Sequence, residues 1–243
     1  MIGSFRLSSV GGLALALAVT AATSPVSAVK CGDTITKNTV LIADLLCDGD
    51  PALTVVGPAT LDLNGHTVSC GDACLYSWYS DAINGGIRIS GRGATIKNGN
   101  ISNCDSGVAP YDKLDFHGAL IKDIIASNNC RYGVNVNGNN NKLQNVTSKG
   151  NGYSYYDEID YVKEGYGIDV TGSSNKLLHV TAIDNYIDDI SVRGNKNQVK
   201  DCFVARSGDG IFLSGTNNTA ISNLVEDIER ELKLKQFVNT AVE

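Results

Sequence analysis

Asp188 and Asp209 carry the sharpest chemical signal in this 243-residue chain. They take the same place in two successive copies of a repeat, Asp188-Asp189-Ile190-Ser191-Val192 and Asp209-Gly210-Ile211-Phe212-Leu213. Two stacked carboxylates repel, so one gains a raised pKa, as a general acid needs, or a cation bridges them. Calcium suits an all-oxygen set of Asp188, Asp189 and Asp209. The plainer reading is a pair of exposed corner aspartates, since Asp is common in turns. His66, His117 and His179 fall in different repeats and offer no convergent zinc set. His117 would act with Tyr156 or Arg193 as the base of a lyase. An ordinary surface histidine is the competing reading.

Aromatic residues cluster in the segments that interrupt the repeat. Residues 71–85 bring Tyr76, Trp78 and Tyr79, and residues 150–166 bring Tyr153, Tyr155, Tyr156 and Tyr161. Residues 111–118, with Tyr111, Phe116 and His117, leave the opposite edge of the same sheet. These loops would wall a groove whose floor is Arg88, Asn135, Asp169 and Ser191, with Arg193 alongside. Sugar rings stack on aromatics while polar side chains hydrogen-bond their hydroxyls. Trp78, Tyr79, Tyr153, Tyr156, Asn135 and Asp169 are therefore the expected carbohydrate contacts. The alternative is that the aromatics only pack the loops.

The elements that would position these groups are legible as a repeat. Gly86, Gly107, Gly133, Gly167, Asp189 and Gly210 open successive copies with a base period of about 21 residues, two of them lengthened by insertions. Alternation within each copy marks a half-buried strand. One inward column reads Ile87, Val108, Val134, Ile168, Ile190 and Ile211. A second short strand follows, with inward columns Ile96, Ile121, Leu143, Leu177, Val199, Ile221 and Gly99, Ile124, Val146, Val180, Cys202, Leu224. No single copy buries such faces alone, but parallel stacking does. The expected fold is all-β: a single-domain right-handed parallel β-helix, a solenoid. Residues 29–51 are expected as an N-terminal cap, 52–228 as the helix, and 229–243 as a short C-terminal helical cap or tail. The cap reading rests on i,i+4 pairs such as Glu229/Lys233 and Glu231/Lys235.

Arg6, an apolar run to Ala22 and Val26-Ser27-Ala28 fit a signal peptide over residues 1–28. That predicts a secreted chain with no membrane span. Behind such a leader the cysteines imply disulfides. The register suggests Cys104–Cys130, Cys31–Cys47 and Cys70–Cys74, with Cys202 a buried thiol. Sequons at Asn100, Asn145 and Asn217 offer glycosylation sites. Formal charge is −6, and no clustered Lys/Arg face is legible, so nucleic acid is not an expected partner. A monomer is expected.

These repeats resemble the pectin-lyase-like superfamily and parallel β-helix repeat proteins. Leu61-Asp62-Leu63-Asn64-Gly65-His66-Thr67-Val68 and Cys31-Gly32-Asp33-Thr34-Ile35-Thr36 have the look of the second group. The closest local likeness is to polygalacturonases, through Gly165-Tyr166-Gly167-Ile168-Asp169-Val170 and Ile187-Asp188-Asp189-Ile190-Ser191-Val192. Only Asp188 falls on a carboxylate position of that family; Tyr166 and Asp209 replace its Asp and His. The resemblance implies a fold rather than that activity. The expectation is a secreted carbohydrate-binding or polysaccharide-modifying protein, a lyase or hydrolase on acidic glycans if an enzyme. The alternative is a non-catalytic extracellular or cell-wall scaffold. Calcium is the one cofactor the residues suggest.

Overall fold

The structure, a computed structural model, describes residues 28–48, 51–71, 85–111, 114–156, 161–227, 230–235 and 240–242. Every element among them is a β-strand. Sheet A aligns nine strands: Asp33–Ile35, Leu53–Val56, Gly85–Ser90, Ser106–Pro110, Tyr132–Asn137, Tyr166–Thr171, Asp188–Arg193, Asp209–Ser214 and Arg230–Lys235. Sheet B holds fourteen. After each sheet A strand the chain crosses to sheet B, makes one long strand such as Lys142–Lys149 or two short ones such as Lys176–Leu178 and Thr181–Ile183, and returns. Neighbours in both sheets are equivalent strands of adjoining repeats, and they run parallel.

The core columns follow from this register. Ile87, Val108, Val134, Ile168, Ile190 and Ile211 are matched one above the next and are at most 1% exposed. Ile96, Ile121, Leu143, Leu177 and Val199 do the same in sheet B. Burying each such side chain contributes about 1.5–3 kcal/mol. The last repeat departs from the expected column: Val199 is matched to Ala220, not Ile221, and Phe203 to Leu224. Ala220 is 4% exposed and Leu224 55%. The constant spacing between the two inward positions, Val170 to Leu177 or Val192 to Val199, selects Ala220 over the more apolar residue beside it.

Asparagines hold the corners from inside. Asn141 N–H donates to Asn175 Oδ1 at 2.8 Å, Asn175 N–H to Asn197 Oδ1 at 2.8 Å, and Asn197 N–H to Asn218 Oδ1 at 2.9 Å. Their amide groups donate back to Phe116, Gly138, Gly172 and Gly194 carbonyls. All four are at most 1% exposed, so each ladder bond satisfies a backbone group that burial would otherwise orphan. The preceding glycine is required: a Cβ on Gly194 would lie 1.9 Å from the Gly172 carbonyl oxygen.

Several expectations are corrected. The described C-terminal residues form strands and not the expected helical cap: Arg230–Lys235 pairs with Asp209–Ser214, matching Ile211 to Leu232 and Leu213 to Leu234, and Thr240–Val242 extends sheet B. The alternating leucines continue the ladder, which outweighs i,i+4 pairs worth about 0.2–0.5 kcal/mol each. The segment expected as an N-terminal cap supplies a first repeat, with Asp33–Ile35 in sheet A and Thr39–Val40 and Leu45–Leu46 in sheet B. Cys31 is bonded to Cys47, but Cys70 is bonded to Cys104, which replaces both Cys104–Cys130 and Cys70–Cys74. Cys70 N–H donates to Ser102 O, and Cys130 N–H donates to Cys104 O. The corner cysteines therefore stack over three repeats, and the middle one has a neighbour on either side. Cys130 is itself in a disulfide, and Cys74 lies outside the described residues. Cys202 is a buried free thiol whose pKa burial pushes up to about 11.

Candidate functional site

The outward side of sheet A gathers charged and aromatic groups from consecutive repeats. Alternation turns Ile190 and Val192 inward and Ser191 and Arg193 outward. Arg193 Nη1 donates to Asp169 Oδ1 at 2.5 Å, in the preceding repeat. Its guanidinium lies 5.6 Å from the Tyr166 ring centre and 5.7 Å from that of Phe212. One ring comes from the repeat before and one from the repeat after, so Arg193 is held by an ion pair and two cation–π contacts. Tyr166 stacks in turn on Tyr132, with centroids 5.7 Å apart and planes 8° from parallel.

Burial pushes the Asp169 carboxyl above the usual carboxylate range, against the pull of Arg193. The Tyr166 hydroxyl is also raised, chiefly by burial; Arg193 opposes the rise and the negative charge of Asp188 adds to it. Asp188 therefore acts electrostatically on the same cluster. Asp188 and Asp209 are matched in register and are 7% and 5% exposed. They are buried, not the exposed corner pair that turn chemistry suggests. The floor positions are buried as well: Arg88 and Asn135 are 7% exposed, Asp169 8% and Ser191 0%. The face opens at Arg193, whose side chain is 41% exposed.

Asp189 departs from its two companions. The equivalent residue is Gly86, Gly107, Gly133, Gly167 or Gly210 in five other repeats, and a Cβ on Gly167 would lie 2.5 Å from Asn185 Nδ2. Asp189 fits because it ends an internal ladder: Asn129 and Asn151 N–H groups donate to Asn151 and Asn185 Oδ1, and Asn185 Nδ2 donates to Asp189 Oδ1 at 2.7 Å. Asp189 is fully buried, its Oδ2 has no hydrogen-bond partner among the described residues, and burial pushes its pKa up to about 7. Asp189 thus serves this corner rather than joining Asp188 and Asp209. Among the described residues no three of His, Cys, Asp and Glu are grouped to hold a metal ion.

The remaining expected residues are placed as follows. His117 Nδ1 accepts the Asn139 N–H at 3.0 Å, and its backbone bridges to Arg92; it belongs to a corner of the stack, not to a loop over Arg193. Phe116 is fully buried, so it packs the core instead of walling a groove. Trp78 and Tyr79 lie outside the described residues. Tyr153–Tyr156 and Tyr161–Glu164 form an antiparallel hairpin that matches Tyr156 to Tyr161, and their side chains also lie outside the description. The sequons Asn145 and Asn217 are exposed, and Asn100 is half-buried.

No protein-family model matches this chain, and no curated protein matches it. Among solved structures, ORF18 of Geobacillus virus E2 is similar over 88% of this chain and 52% of that one, at 12% identity and a TM-score of 0.37. This chain spans about half the length of that protein, and so distant a likeness carries no functional argument.

The chemistry of the face therefore rests on its own residues. Burial raises the Asp169 pKa, the direction that suits proton donation, while its ion pair with Arg193 pulls the other way. Neighbouring carboxylates at Asp188 and Asp209 are suited to a base or nucleophile role. Sequence reading missed Tyr132, Tyr166 and Phe212 as partners, because their importance comes from stacking between repeats. The signal was present in the register: Tyr132 and Tyr166 share one column, directly ahead of Asp188 and Asp209.

Proposed function

We propose that this chain is an exported right-handed parallel β-helix of pectin-lyase-like type that binds polysaccharide on the outward face of sheet A and cleaves it there. The observation that carries this reading is the Asp169–Arg193 pair set against Tyr166 and Phe212, beside Asp188. In it Asp169 is the proton donor, Asp188 with Asp209 supplies the base or nucleophile, and Arg193 neutralises a uronate carboxylate or developing negative charge. The rings of Tyr166 and Phe212 supply apolar surface for sugar C–H faces. The disulfides Cys31–Cys47 and Cys70–Cys104 accord with an oxidising compartment. No helix among the described residues is long and apolar enough to cross a membrane.

The test is a screen of the purified protein on neutral and uronate polysaccharides. It follows new reducing ends and the ultraviolet absorbance of unsaturated uronates, with and without calcium. Reducing ends alone identify a hydrolase, and both signals a lyase. Either must disappear in Asp188→Asn. Silence across the panel, with no retardation in glycan-containing gels, leaves the non-catalytic scaffold as the reading.

A further inference from the structure

The outward side of sheet B gathers lysines that the linear sequence scatters. Lys97, Lys122, Lys142, Lys176 and Lys200 stand on the strands of five successive repeats, one to each. Lys97 is matched to Lys122 and Lys142 to Lys176. Lys122 is matched to Gln144 and Lys200 to Leu178, each two residues along the strand from Lys142 and Lys176. The row therefore steps between two adjoining outward columns. Every member is exposed or half-exposed. With strands about 4.8 Å apart, each repeat adds one positive charge, directly above its neighbour for Lys97/Lys122 and Lys142/Lys176 and two residues aside at the other steps. The expectation that no basic face exists thus fails once the register is applied.

The row carries an electrostatic cost within the fold. Like charges directly opposite each other across a ladder destabilise it. Lys142 and Lys176 stand so, and no ion pair joins either to an acid among the described residues. The other three meet Asp62 at 3.0 Å, Asp123 at 3.2 Å and Asp201 at 3.7 Å. Exposed pairs of this kind contribute little and exchange readily for a denser anion. The chain as a whole is acidic, at −6, so the row is a local reversal of sign.

We propose that this face is a binding surface for a linear polyuronate, laid along the stack across five repeats. Such a polymer presents one carboxylate per sugar ring along a single narrow, flexible strand, so acidic groups recur along it on the length scale of the lysine row and it can follow the step between columns. Duplex nucleic acid presents two staggered phosphate rows on a stiff, curved surface, whereas the lysines lie along one sheet face in a narrow stepped band. The surface lies on a different sheet from the Asp169–Arg193 cluster and holds polymer whether or not cleavage occurs there.

Affinity electrophoresis and calorimetry of the whole chain on polygalacturonate test the proposal, with neutral dextran and duplex DNA as comparisons. Polygalacturonate should bind, and added salt should weaken it. The double variant Lys142→Gln/Lys176→Gln should bind about tenfold less tightly with no fall in melting temperature, while Lys37→Gln binds as the parent does. The proposal is overturned if the double variant binds unchanged, if dextran binds as well as polygalacturonate, if duplex DNA binds more tightly, or if no binding occurs at low salt. Absence of turnover on every glycan would remove the sheet A reading and leave this one standing, because its readout is binding alone.

Discussion

Asn185 donates from Nδ2 to Asp189 Oδ1 at 2.7 Å, and neither residue is more than 2% exposed. The bond ends a ladder of asparagine side chains on a carboxylate whose pKa is pushed up from 3.8 to about 7. Below pH ~4 Asp189 is protonated in both folded and unfolded chains. Between ~4 and ~7 only the unfolded chain ionises, so stability falls as pH rises and levels off above ~7. The loss is on the order of 1–4 kcal/mol. Thermal unfolding across this range should show the decline, and Asp189→Asn should flatten it. An equally steep decline in the variant would assign the effect to other groups.

The second ladder predicts which asparagines hold the stack. Asn197→Ala removes the acceptor for Asn175 N–H and the donor to Gly172 O, leaving buried backbone groups unpaired. The cost should be about 2–4 kcal/mol in denaturant unfolding. Asn195, which accepts from Thr216 N–H at an exposed corner, should cost less than about 1 kcal/mol when changed to Ala.

The covalent framework is directly measurable. Peptide mapping under non-reducing conditions should recover Cys70 joined to Cys104 and Cys31 joined to Cys47. Recovery of a Cys104–Cys130 peptide would contradict this framework. The paired change Cys70→Ser/Cys104→Ser, which opens a link across 34 residues, should lower stability by about 2–4 kcal/mol.

Arg193 should be sensitive to shape as well as charge. Arg193→Ala should reduce turnover at least about tenfold, and Arg193→Lys should restore it only in part, because an ammonium lacks the planar surface that meets Tyr166 and Phe212. Arg193 draws the Asp169 carboxyl downward. Its loss raises that pKa further, so any activity that needs protonated Asp169 should keep its alkaline limb to higher pH. A pH profile of residual turnover checks the sign. An unmoved limb would take Asp169 out of the donor role.

Much of the fold was legible because its repeat is written in residue types. The inward column from Ile87 to Ile211 and the register of Asp188 with Asp209 follow from period alone. Hydrophobicity points to Ile221 in the inward column, whereas constant spacing places the smaller Ala220 there. The buried asparagines were visible as corner residues, yet their role as ladder donors shows only once equivalent corners are stacked. Charge pairs at i,i+4 and leucines at i,i+2 coexist around Arg230–Lys235, the first pattern favouring a helix and the second a strand, and only a free strand edge beside the segment selects the second.

The sequence by itself determined the period, the inward columns and the vertical neighbours of each side chain, because parallel stacking turns spacing into contact. Tertiary structure alone decided what lies diagonally and what is sealed from water. Arg193 finds Asp169 and Tyr166 in the repeat before it and Phe212 in the repeat after; Asp189 turns to Asn185; Cys104 bonds downward rather than upward; and five distant lysines share one face. Each of these depends on side-chain direction and burial, which spacing along a chain leaves undetermined.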